Sequence, residues 1–151
     1  MKLSTRSRYG LRAMVELALQ YDQNEPVPLL QIAEKQLISE GYLEQMMTSL
    51  RRSGLVRSVR GAHGGYLLSR DPSRITAGEI VRCLEGALGP TDCVSEEDDQ
   101  DICAKSASCV TRVLWEKVRE AMASVLDSTT LEDLRRDTMK ICCPAKVKNK
   151  A

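Results

Sequence analysis

The stretch SEGYLEQMMTSLRRSGLVRSVRGAHGGYLL, residues 39–68, decides the fold. It opens on Ser39, a residue type whose hydroxyl can satisfy a free amide at a helix start. Leu43, Met46, Met47 and Leu50 then recur at helical spacing, and Gly54 stands where a left-handed C-terminal cap belongs. This predicts a helix from about Glu40 to Ser53 with Met46, Met47 and Leu50 in packing roles. The period changes at once. Leu55–Arg60 and Tyr66–Ser69 read as two short strands, and Gly61-Ala62-His63-Gly64-Gly65 as the hairpin tip between them.

Working back from this stretch, Leu29–Gln36 reads as a short helix with Leu30, Ile32 and Ala33 turned inward, and residues 3–21 read as a longer one. The segment DQNEPVP, residues 22–28, separates them. A leading helix, two short helices with a tight turn and a hairpin behind them is the grammar of a winged helix-turn-helix. Working forward, Thr76 with Glu79 forms a capping box for a helix to about Gly86. Residues 87–108 carry no periodicity and include the acidic run 96–99. Such a run repels itself and has few apolar anchors, so the loop is expected to be loose. Val110, Val113, Leu114, Val118, Met122, Val125 and Leu126 then form one apolar stripe, and a second copy of the same helix is the expected cover for it. A short helix over 130–139 and a mobile tail close the chain. The expected organisation is a DNA-binding domain over 1–75, a helical dimerisation region over 76–135 with a cysteine-bearing loop at 90–109, and a tail over 136–151. The fold class is mostly α.

Charge supports the same reading. The chain is 151 residues long with a net charge of only +1, but residues 1–75 carry 11 Lys/Arg against 7 Asp/Glu, and residues 76–151 carry 11 against 14. Between 51 and 74 stand Arg51, Arg52, Arg57, Arg60, Arg70 and Arg74 with Asp71 as the one acid. A basic stripe beside a helix-turn-helix suits phosphate contact. No apolar run reaches the ~18 residues of a membrane span, and no signal peptide is read, so a cytoplasmic location is expected. An enzyme is not expected: no C-x-x-C, no Cys/His nucleophile pair and no phosphate-cradling loop is present.

The sequence resembles the bacterial regulator family that includes IscR, NsrR and CymR, over roughly residues 1–135. Four stretches carry the resemblance: residues 2–11 (KLSTRSRYGL), Tyr42-Leu43-Glu44-Gln45 with Leu50-Arg51 and Gly54-Leu55-Val56 after it, residues 59–66 (VRGAHGGY), and residues 109–115 (CVTRVLW). It implies a homodimer whose long C-terminal helices cross and a helix 40–53 that enters the major groove of double-stranded operator DNA. On that helix Ser39, Tyr42, Glu44 and Gln45 are the candidates for the base-facing turn; Gln can pair with adenine, and Glu can accept from cytosine and exclude wrong sites. Arg51 and Arg52 are candidates for backbone contact, and Arg60 with Gly61 for the wing tip, where a narrow minor groove attracts a guanidinium.

Of six cysteines, Cys93-x9-Cys103-x5-Cys109 stand in the loop that runs into the long helix. Thiolates are soft ligands suited to iron–sulfur clusters or zinc. The resemblance implies an iron–sulfur cluster on these three residues, 2Fe–2S in preference to 4Fe–4S. The first interval is longer than in IscR, and where IscR carries a histidine three residues after its last cysteine this chain has Arg112, which cannot ligate. A carboxylate within 92–101, Cys142, Cys143, His63 or a residue of a second subunit are the candidates for the fourth ligand. Cys83 is expected to be packing. Two other readings stay open: a thiol or cysteine-metabolism regulator of the CymR type without a cluster, to which residues 125–134 (VLDSTTLEDL) are similar, and a zinc-stabilised interaction module.

Overall fold

The computed structural model describes residues 3–97, 103 and 108–142. Ser4 starts α1 (Thr5–Leu19) by accepting a hydrogen bond from the Ser7 amide, and Ala13, Met14, Leu17 and Ala18 bury its inner face. After a 3-10 turn at Tyr21–Gln23 comes α2 (Leu29–Gln36). Its inward residues are Ile32, Ala33 and Gln36; Leu30 lies off that face and is 54 % exposed, contrary to expectation. The turn to the next helix passes through Leu37, which holds a left-handed backbone at φ +55 although it carries a side chain. That geometry costs roughly 1–2 kcal/mol for an L-residue.

Helix α3 (Glu40–Arg52) is capped by Ser39, whose hydroxyl accepts from the Tyr42 amide. Leu43, Met46, Met47 and Leu50 are fully buried, so the opposite face is free for Glu44, Gln45, Arg51 and Arg52. Gly54, at φ +72, turns the chain into the wing. Strands β1 (Val56–Val59) and β2 (Gly65–Leu68) pair antiparallel with Val56 opposite Leu68 and Val59 opposite Gly65. The wing is tied to the body by two backbone bonds of 2.9 Å between Val27 and Tyr66. A Cβ on Gly65 would run into the Val27 carbonyl, so only glycine lets the two segments approach this closely.

The capping box of Thr76 and Glu79 opens α4 (Ala77–Glu85), which buries Ile80, Val81 and Leu84. Leu84 rests on Gly10 of α1, where any side chain would collide with it. A 3-10 turn at Asp92–Val94 leads through the cysteine loop to α5 (Val110–Ser128). Thr130 and Asp133 then exchange side-chain and backbone bonds at the start of α6 (Leu131–Cys142). The helix runs to Cys142, past the expected end at 139 and well into the segment assigned to a tail; its outer positions pair Arg136 with Glu132 and Lys140 with Asp137. Cys143 and the residues after it lie outside the described ones, as does the side chain of Cys142.

The described residues thus hold six α-helices, three short 3-10 turns and one two-stranded antiparallel sheet. This is the mostly α winged helix-turn-helix with a small wing and a long C-terminal helix that the sequence implies. The core runs across residue 75: Ile75, Ile80, Leu84 and Leu131 join Met14, Leu43 and Met46 in one cluster. Backbone bonds from Ala77 to Thr129 and from Leu131 to Ile75 fasten the start of α4 to the α5–α6 corner. Gly78 faces Asp127 there, and a Cβ on it would collide with that carboxylate. Helix α5 itself contributes no buried residue: Val110 is 85 %, Val113 54 %, Leu114 55 % and Val125 64 % exposed. Among the described residues, no helix is long and apolar enough to cross a membrane.

Candidate nucleic-acid interface and cysteine loop

The buried stripe of α3 forces its polar residues outward. Glu44 and Gln45 are exposed on the first turns, and Arg51 and Arg52 lie on the same outer side two turns later. Ser39 is exposed but its hydroxyl is engaged by the Tyr42 amide, so its role is to start the helix. Tyr42 is half-buried, its ring edge-on to Tyr9 at 6.5 Å and 86°, and Arg12 lies 5.7 Å from the Tyr9 ring. The first turn of α3 is therefore braced from α1. Arg51 donates to the Ser58 hydroxyl at 3.3 Å and so links α3 to β1. Arg60 and Gly61 are both exposed at the wing tip; Gly61 takes φ +114, and the Gly64 amide closes the turn onto its carbonyl at 3.0 Å. The outer face of α3 and the wing tip thus each expose acid, amide or guanidinium groups, a donor and acceptor set that suits base edges and phosphates. Sequence reasoning did not single out Arg6, whose guanidinium donates to Ser49 of α3 at 2.6 Å and supports the helix from behind.

The three loop cysteines occupy different settings. Cys93 is half-buried on the 3-10 turn, its sulfur 3.3 Å from the Thr91 hydroxyl. Cys103 is exposed. Cys109 stands at the N-cap of α5, 3.1 Å from the Thr111 hydroxyl. That hydroxyl, followed by the Arg112 amide, holds the Cys109 thiol below its ordinary pKa, biasing it toward thiolate. Among the described residues no group of three or more His, Cys, Asp or Glu side chains is gathered for metal binding, so the triad is not brought together there. The donor chemistry nonetheless fits a soft metal group: three thiols in one loop, one of them already biased to its ligating form. Arg112, at the position of the family's histidine, pairs with Glu116 at 2.9 Å. His63 is exposed on the wing turn, and Cys83 contacts the Ser53 hydroxyl at 3.0 Å.

The expectation of a loose loop fails over its first part, residues 88–96. Val94 is buried, Arg119 of α5 donates to its carbonyl at 3.3 Å, and Glu96 is gripped by Arg82 at 2.6 and 2.8 Å. The acid read as self-repelling is a fixed ion-pair partner, held below its ordinary pKa by the Arg82 guanidinium. Residues 98–102 and 104–107 lie outside the described ones.

Comparison with known proteins agrees with this architecture. The family model described as Rrf2, an iron-dependent transcriptional regulator, matches residues 3–137. The HTH-type transcriptional regulator CymR of Bacillus subtilis is 46 % identical over 134 residues, 89 % of each chain. The regulator IscR of Xenorhabdus nematophila is 42 % identical over 134 residues, 89 % of this chain and 79 % of the relative. The solved structure of T. potens IscR superposes with a TM-score of 0.75 at 42 % identity, covering 93 % of this chain and 90 % of the other. These relatives are named as transcription regulators, not as enzymes. A winged helix with an outward polar recognition face, a cysteine loop feeding a long uncovered helix, and this agreement over nearly the whole chain make the protein a member of the Rrf2 family of transcription regulators.

Proposed function

We propose that the protein is a homodimeric regulator that binds double-stranded operator DNA through α3 and the wing, and that it reports iron–sulfur status through Cys93, Cys103 and Cys109. The observation that carries the DNA half is the one-sided α3, with Glu44, Gln45, Arg51 and Arg52 outside and Leu43, Met46, Met47 and Leu50 fully buried. Gln45 and Glu44 read base edges, Arg51 and Arg52 set the helix on the backbone, and Arg60 with Gly61 enters the adjacent minor groove. The uncovered stripe on α5 supports the dimer, whose two copies would present two recognition helices to one operator. The working place is the cytoplasm, where the DNA is.

The sensing half rests on the donor set. Three thiolates would hold a cluster, 2Fe–2S in preference to 4Fe–4S, and such a group supplies a redox- and iron-dependent tie between separate parts of the loop. The chain's own part is to bias Cys109 toward thiolate, to hold Cys93 on an anchored turn and to keep both next to the dimer helix. A second reading has support of its own: Arg112 replaces a ligand, and the B. subtilis CymR likeness is strong. In that case the cysteines serve thiol chemistry or a partner protein.

Anaerobic purification with iron and sulfide counts, a visible spectrum and operator titration decides between them. A coloured protein that loses iron in Cys93→Ala, Cys103→Ala and Cys109→Ala, and whose operator affinity changes on loading, is the expected result. A colourless, iron-free protein that binds operators equally well overturns the sensing half in favour of the CymR-type reading.

A further inference from the structure

The cysteine loop and the recognition helix meet the same short helix at neighbouring residues. On α4, the Arg82 guanidinium lies between two carboxylates. Its Nε and Nη2 donate to Glu96 at 2.8 and 2.6 Å, and its Nη1 and Nη2 donate to Asp127 at 2.5 and 3.0 Å. Glu96 accepts a further bond from the Leu88 amide at 3.1 Å, and its own amide donates back to the Leu88 carbonyl at 3.1 Å. The stretch from 88 to 96, with Cys93 on its turn, is thereby closed on itself and pinned to α4. One residue along, Cys83 places its sulfur 3.0 Å from the hydroxyl of Ser53, the C-cap of α3.

A planar guanidinium with both edges of its fork engaged has little slack, because each bond is directional. Adjacent residues of a helix are rigidly related, about 1.5 Å apart along the axis. A shift of Glu96 would pull on Arg82 and, through the helix that Arg82 and Cys83 share, load the contact between Cys83 and Ser53. Coupling through a contiguous set of bonded side chains on one rigid element is a physical route between two sites.

We infer that α4 couples the cysteine loop to the recognition helix, with Arg82 as the positioning residue on the loop side and the Cys83–Ser53 contact as its output. This rests on the loop being the sensing part proposed above, but the coupling itself is present without any bound group and is tested in the metal-free protein.

The experiment is a double-variant cycle on the full chain: wild type, Glu96→Gln, Ser53→Ala and the pair. The readouts are the thermal midpoint, the rate at which iodoacetamide alkylates Cys83, followed by peptide mass spectrometry, and the affinity for a duplex that the wild type enriches from a random-sequence pool. Glu96→Gln is expected to speed Cys83 alkylation and weaken the duplex, each at least about fivefold, the lower end of measured site-to-site couplings. The pair is expected to be no worse than Ser53→Ala alone in affinity. Unchanged Cys83 reactivity in Glu96→Gln, or effects on affinity that multiply, overturns the inference. Arg82→Lys is the second variant, for the case that Glu96→Gln lowers the midpoint. It keeps the charge but cannot span both carboxylates, so it must move Cys83 in the same direction. Failure of the wild type to take up iron and sulfide sinks the sensing reading alone, since the cycle needs neither.

Discussion

Replacing Leu114 by glutamate is the sharpest test of the uncovered helix. Leu114 lies on the first half of α5 and is 55 % exposed, with no buried neighbour on its own helix. Glutamate is as good a helix former as leucine, so the folded chain should tolerate the change. In a dimer the remaining half of the side chain would be covered, which is worth roughly 1–1.5 kcal/mol from the ~1.5–3 kcal/mol of a fully buried leucine. Twofold symmetry counts the loss twice. Each copy would also have to strip water from a carboxylate, which even after relaxation costs several kcal/mol per ion where it is fully enclosed. A total near 4 kcal/mol is a conservative sum, and it raises the dimer dissociation constant by about 1,000-fold. Sedimentation equilibrium over nanomolar to micromolar concentrations reads this directly, with circular dichroism as the check on folding. A Leu114→Glu chain that dimerises with wild-type affinity, or a wild type that stays monomeric at micromolar concentration, would refute the reasoning.

Other outcomes follow from the same contacts. Gln45→Ala should cost about 1–3 kcal/mol on the preferred operator and relax the choice of base at one position, read by titrating single-base operator variants. Arg60→Ala should weaken duplexes with a narrow minor groove beside the α3 site more than those with a wide one, read by titrating operators that differ only in that flanking step. Gly65→Ala should force β2 off the Val27 carbonyl and break the two bonds that seat the wing, lowering stability by roughly 1–3 kcal/mol in a urea melt. For pH, Glu96 is held below the ordinary 4.5 by Arg82, so its contribution is complete above that value and is lost as pH falls through the depressed folded value. Wild-type thermal midpoints should therefore fall more steeply below pH 4.5 than those of Glu96→Gln; parallel curves would show that the pair does not contribute.

What could be read from sequence was what local chemistry decides. Leu43, Met46, Met47 and Leu50 declare their helix by spacing alone, Ser39 and Thr76 mark helix starts by hydroxyl, and Gly54 marks an end by its missing side chain. Leu30 was misjudged because composition outweighed angle: it is apolar, but the face set by Ile32, Ala33 and Gln36 turns it out. The last turn of α6 carries Met139 and Ile141 exposed, so no buried stripe marks where that helix ends. The Arg82 grip had no local signal at all, its partners being 14 and 45 residues away in the chain. Nor does anything in an apolar stripe announce that Leu37 takes a left-handed turn, its amide closing the end of α2 onto the Glu34 carbonyl. For the candidate site, the polar face of α3 and the wing tip were legible, whereas the settings that separate Cys93 from Cys109 depend on contacts with Thr91, Thr111 and α5.

The bare Cα of Gly78 has a geometric meaning beyond its own neighbourhood. It leaves room for the Asp127 carboxylate to meet the Arg82 guanidinium against α4, at the end of α5 that is fastened to the body. A helix of 19 residues is a rod of roughly 28 Å, and a tilt of ~5° at one end sweeps the other by about 2.5 Å. If two such rods join two copies, that sweep reappears as the distance between their reading heads, which must match a whole turn of the double helix, about 34 Å. The joint where Asp127 meets α4 would then act as the calibration of a ruler, setting the spacing at which two reading heads meet the same double helix.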